Sequence, residues 1–142
     1  MTRRPSLRRL RLAKPIVLNV PVSVGELLDK VSILRIKAER IDDPEKLAAV
    51  GLELSHLESL LPTEAELWVH RLEAVNGRLW DMEDQIRVKE RDKDFGPEFV
   101  SLARSVYFTN DQRAELKREI NAHYGSELVE VKSYQEYHAV LE

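Results

Sequence analysis

Cysteine is absent from the 142 residues. That excludes disulfides, thiolate nucleophiles and cysteine-ligated zinc in one step, and it fits a reducing compartment. Glycine is scarce, with 5 residues scattered singly, so the chain has no glycine-rich loop to cradle phosphates. No strand–turn–helix elbow presents a serine nucleophile. No apolar run reaches the roughly 18 residues that span a bilayer, and the first residues lack the apolar region of a signal peptide. A cytoplasmic protein is the expectation.

What is there is helical. Hydrophobic residues make up 43% and charged residues 33%, a mix that supports one helical domain with a real core. Residues 1–14 carry Arg3, Arg4, Arg8, Arg9, Arg11 and Lys14 and no acid, whereas the rest of the chain is acidic. A basic, flexible tail at 1–14 preceding a single helical domain at 15–142 is therefore expected. Such a tail can touch nucleic acid or anionic lipid, but it holds no aromatic ring to stack on bases, which argues against nucleic acid.

Residues 16–22, β-branched and bracketed by prolines, read as an extended segment. Ser23-Val24-Gly25-Glu26 is a capping box, and Val24, Leu27, Val31, Leu34, Ala38 and Ile41 continue from it as one apolar stripe. Asp43-Pro44 starts a second helix, carried by Leu47, Val50, Leu54, Leu57 and Leu61 until Pro62. Thr63-Glu64-Ala65-Glu66 reads as another capping box, opening a third helix to about residue 91 with its seam at Leu72, Val75, Leu79, Met82 and Ile86. Asp94-Phe95-Gly96-Pro97 breaks the pattern. A fourth helix then runs to about residue 123, with Gly125 placed for a left-handed cap. Residues 127–132 can pair with 16–22 as a small ribbon. Four helices with short connections give an all-α, antiparallel four-helix bundle whose last two helices form a long hairpin.

The hairpin carries the candidate functional residues. Asn76, Trp80, Glu83, Arg87 and Glu90 recur at helical spacing beside the third helix's seam, where half-buried polar groups need partners. A ladder of ion pairs such as Glu83–Arg87 explains them equally well. On the fourth helix Arg104, Tyr107, Asp111 and Arg118 share one side, with Asn110, Ala114, Lys117 and Asn121 beside them. Arginine, lysine, tyrosine and asparagine together suit phosphate, carboxylate or sugar hydroxyls, and Ala114 leaves room for something to dock. Pairing of Asp111 with Arg104 or Arg118 is the structural alternative. No cofactor is required by these patterns. Glu26, Glu83 and Asp84 offer oxygen ligands for Mg as an alternative, in the general manner of helical nucleotide pyrophosphohydrolases. Glu53-x-x-His56 is half of a di-iron motif with no second copy.

Several of these segments taken in order carry a resemblance. They are Ser23 to Lys30 with Ile33, Leu34 and Lys37; Val75-Asn76, Leu79-Trp80 and Glu83 to Arg87; Leu102 to Tyr107 with Asn110-Asp111, Arg113-Ala114 and Ile120-Asn121; and Lys132-Ser133-Tyr134. Over residues 20–135 the chain resembles a family of small bacterial helical proteins of unknown function, whose genes lie near those for glycosyltransferases and surface-polysaccharide (lipopolysaccharide) assembly. The resemblance implies a setting and no activity. It leads to the expectation of an accessory or binding protein whose hairpin face engages a glycosyltransferase or an anionic sugar ligand. A small metal-dependent enzyme acting on a nucleotide or sugar phosphate is the first alternative. The second is a homo-oligomeric scaffold anchored by Trp80 and Tyr107.

Overall fold

The computed structural model describes residues 15–137; the basic tail at 1–14 lies outside them. The protein is all-α. Four helices follow one another: α1 (Val24–Arg40), α2 (Pro44–Glu58), α3 (Ala65–Arg91) and α4 (Pro97–Tyr124). Residues 16–22 and 127–132 are neither helical nor stranded, so the ribbon does not form. Both segments are mostly exposed, and no strand forms among the described residues.

Most helix limits follow from local chemistry. Ser23 Oγ accepts from the Glu26 amide at 3.1 Å, and Asp43 accepts from the Lys46 amide at 3.0 Å with Pro44 at the first helical position. These caps supply oxygens to amide donors that no intrahelical carbonyl can reach. Gly125 closes α4 with φ 62°, a left-handed conformation that suits glycine. The start of α3 departs from expectation. Its N-cap is Glu64 at φ 62°, with no side-chain cap. The Glu66 carboxylate that would have reached back is instead gripped by Arg35 through two hydrogen bonds of 2.7 and 2.8 Å.

The α3–α4 hairpin is antiparallel, as Arg71–Glu119, Arg78–Gln112 and Lys89–Glu98 contacts march in opposite directions. With 27 and 28 residues, its arms are about 40 Å long. Helix α1 packs on all three others, whereas α2 packs on α1 alone among the helices. The core comprises Leu28 and Val31 of α1, five α3 residues from Ala65 to Leu79, and Leu116 and Ile120 of α4. Each fully buried leucine, isoleucine or valine among them contributes about 1.5–3 kcal/mol.

Helix α1 is buried on more than the expected stripe. Gly25, Leu28, Asp29, Ser32 and Ile36 are buried along with Val31 and Leu34, while Ala38 is exposed. A helix flanked by three neighbours cannot be served by one apolar stripe, and the extra buried positions include polar ones. None of α2 is fully buried; its Leu54 and Leu57 lean on the core from outside.

Candidate functional site

The site is assembled where α1 crosses α4. At Gly25 a Cβ would lie 2.7 Å from the Lys117 carbonyl oxygen and 2.9 Å from Asn121 Oδ1, so only glycine permits this approach. The closeness lets the Gly25 amide donate to Asn121 Oδ1 at 2.7 Å, while the Val24 amide donates to Ser126 Oγ at 3.1 Å. With Ser23 serving Glu26, the first three amides of α1 each meet a side-chain oxygen. The helix N-terminus is saturated and offers no free donors to an anion.

One turn on, Asp29 is 1% exposed, and a buried carboxylate must be paired. Arg113 of α4 grips both its oxygens, with the Nε bond at 2.9 Å and a shorter one from the terminal nitrogen. Asn76 of α3 donates to Asp29 at 2.9 Å and to Ser32 Oγ at 2.8 Å. The hydrogen bonds to Asp29 hold the Arg113 guanidinium above its ordinary pKa. Three helices are thus locked by one polar knot. Asn76 belongs to this knot and is buried, so it supports the site from beneath.

Lys117 is itself buried. Its Nζ lies 2.7 Å from Glu26, 2.7 Å from Glu130 and 4.0 Å from Asp29. Burial alone would lower its pKa, but hydrogen bonds to Glu130 and Glu26 and the nearby Asp29 charge outweigh that and raise it. Hydrogen bonds from Lys117 and then Lys132 pull Glu130 down to about 2.

Glu130 belongs to residues 126–137, an extended strap folded back over α4. Tyr137 at its far end donates to Asp111 and packs on Tyr107 and Phe108 with ring centroids 5.1 and 5.0 Å apart. The Asp111 hydrogen bond pushes Tyr137 up to about 12. Between strap and helix lies a groove of about 1050 Å³, lined by Glu26 of α1, by α4 residues including Tyr107, Asn110, Ala114 and Lys117, and by strap residues including Lys132 and Tyr134.

The expected residues are therefore divided. Tyr107, Asn110, Asp111 and Lys117 line the groove, with Ala114 in its wall. Asn121 is buried in the helix crossing, and Arg104 is exposed outside the lining. Trp80 is half-buried beneath the Arg40 guanidinium, 5.8 Å from its ring centroid. Glu83, Arg87 and Glu90 line a separate groove with Ile86 and Phe99. The acids weighed for Mg are not gathered either. Glu26 and Glu83 fall in different grooves, and among the described residues no group of three His, Cys, Asp or Glu side chains is placed to hold a metal ion. The three-acid arrangement fails because α1 crosses α3 beside Asn76, leaving Glu83 two turns farther along the hairpin. Sequence patterns did not single out Ser32 or Arg113 as site residues, nor Glu130 and Tyr137 of the strap. Asp29 and Ser32 lie beside the α1 stripe and not on it, so its periodicity carried no signal of their burial.

Compared with known proteins, the chain matches no family model, no curated protein and no solved structure. Its fold and groove carry the functional reading. Among the described residues no helix is long and apolar enough to cross a membrane.

Proposed function

We propose that the protein is a cytoplasmic binding or accessory protein, acting with glycosyltransferases in surface-polysaccharide assembly, and that the groove between α4 and the strap holds its ligand. The observation that carries this reading is the pairing of charges in the groove. Arg113 is matched by Asp29, Lys117 by Glu26 and Glu130, Arg118 by Glu115, and Lys132 by Glu130. Among the described residues no lining cation is left over for a phosphate, and the first three α1 amides are already used. What remains are tyrosine faces at Tyr107 and Tyr134, the amides of Asn110 and Gln135, and carboxylate edges. Rings stack on the apolar faces of sugars while amides and carboxylates take hydroxyls. That chemistry favours an uncharged, hydroxyl-rich glycan segment over the anionic sugar or nucleotide first considered.

A metal-dependent enzyme draws no comparable support, because Glu26 and Glu83 line different grooves and Asp84 lines neither. Trp80 as an oligomer anchor fares no better, since its half-buried ring lies beneath the Arg40 guanidinium.

Calorimetric titration with neutral oligosaccharides, sugar phosphates and nucleotides tests the reading. Neutral saccharides should bind, and Tyr107→Ala or Asn110→Ala should abolish binding without shifting the melting temperature, because both residues are exposed. Unfolding of those variants would make the face structural. Binding of phosphates alone would reverse the ligand class.

A further inference from the structure

Among the described residues the outer end of the hairpin has no third layer. No α3 residue beyond Leu79 is buried, and no α4 residue before Thr109. The cause is length: α1 ends at Arg40, whose guanidinium reaches only to Asp81. Beyond it, Met82, Ile86 and Phe99 of the seam stay half-exposed. One flank forms a groove of about 300 Å³ lined by Glu83, Ile86, Arg87 and Glu90 of α3 and Phe99 of α4. Positions 83, 86, 87 and 90 are spaced as the face a helix offers to a partner helix. The floor is apolar and the rim is charged. Among the described residues, Glu83, Arg87 and Glu90 take no ion-pair partner, whereas Lys89 on the same helix is held by Asp94 and Glu98.

We propose that this flank is the interface of a homodimer in which two hairpin tips pack antiparallel and complete a four-helix bundle. The occupant is a second copy because the rim is its own complement. Acid and base lie one helical turn apart at 83 and 87. An antiparallel pairing centred between them sets Arg87 of each copy against Glu83 of the other, a reciprocal pair of opposite charges. The uncovered face is roughly 15 Å long by 20 Å wide, from the rise and diameter of two helices. That is smaller than the roughly 800 Å² per partner of a standard interface, so association is weak, with a Kd in the micromolar range or above. The proposal is independent of the ligand groove, which lies nearer the other end of α4.

Sedimentation of the full chain over rising concentration should show a monomer–dimer equilibrium. Arg87→Glu alone, or Glu83→Arg with Glu90→Arg, should each weaken the dimer roughly tenfold or more by opposing like charges. Circular dichroism should be unchanged, since all three side chains are exposed. An equimolar mixture of the two variants should restore dimerisation as a heterodimer, because their rims are then opposite in sign. A monomer at all concentrations, a dimer indifferent to both variants, or a mixture no more associated than its parts would each overturn the proposal.

Discussion

Replacing Gly25 with alanine should destabilise the protein, whereas the same replacement at Gly51 should stabilise it. Both glycines sit inside helices, so alanine gains about 1 kcal/mol of helix propensity at either. Nothing lies within 4 Å of a Cβ at Gly51, and the gain there is realised nearly in full. At Gly25 the new methyl meets the Lys117 carbonyl oxygen at 2.7 Å and the Lys117 Cα at 3.2 Å. Both are backbone atoms, so relief requires α1 and α4 to separate. Overpacking of this kind costs about 1–3 kcal/mol, and stretching the Gly25–Asn121 hydrogen bond adds about 1 kcal/mol. Offset by propensity, the net loss at Gly25 is about 1–3 kcal/mol. For a chain of this length that lowers Tm by several degrees, while Gly51→Ala raises it by a few. Urea unfolding followed by circular dichroism gives both values, with an unchanged m-value showing that only stability moved. If Gly25→Ala is neutral or stabilising, the α1–α4 contact is not as close as described, and the site built on it falls.

Three further outcomes follow from the same geometry. Arg113→Ala leaves the buried Asp29 with Asn76 and a lysine 4.0 Å away, so it should cost about 3–5 kcal/mol in chemical denaturation, and replacing Asp29 and Arg113 together by leucine should cost less than the two single losses combined. The strap latch should be acid-sensitive. Glu130 is depressed to about 2, so its contribution is complete above the ordinary carboxylate pKa and is lost as pH falls through about 2; a fluorophore on Ser133→Cys, free of competing thiols, should report opening below about pH 4 and none above pH 5. Glu130→Gln should open the strap at neutral pH, seen as roughly tenfold faster tryptic cleavage after Lys132.

Much of the fold was legible because helix ends are local events. Ser23, Asp43-Pro44, Gly96-Pro97 and Gly125 act on amides and carbonyls within a turn of themselves, and the structure uses each where the residues suggested. The capping box at Thr63 was not safe to read, since a remote arginine competes for Glu66. The site was half legible. Tyr107, Asn110, Asp111 and Lys117 are adjacent on one helix, so spacing alone grouped them. Asp29, Asn76 and Arg113 meet only because three helices cross, and no single-helix periodicity encodes that meeting. Asn76 and Trp80 sat on one stripe with Glu83 and Arg87, yet α1 covers only the first part of it. The strap was invisible for a different reason: it is held by side chains 13 to 26 residues away in sequence, as in Glu130–Lys117 and Tyr137–Asp111, and has no regular structure to announce itself.

The groove between α4 and the strap is proposed to take an uncharged glycan. Backbone amide shifts of the isotopically labelled protein, recorded during separate titrations with a neutral oligosaccharide and with its phosphorylated counterpart, test it most directly. Saturable shifts are expected at Tyr107, Asn110, Ala114 and Tyr134 with the neutral sugar, and weaker ones with the phosphorylated form. Shifts confined to other surfaces, or produced only by the phosphorylated sugar, would contradict it.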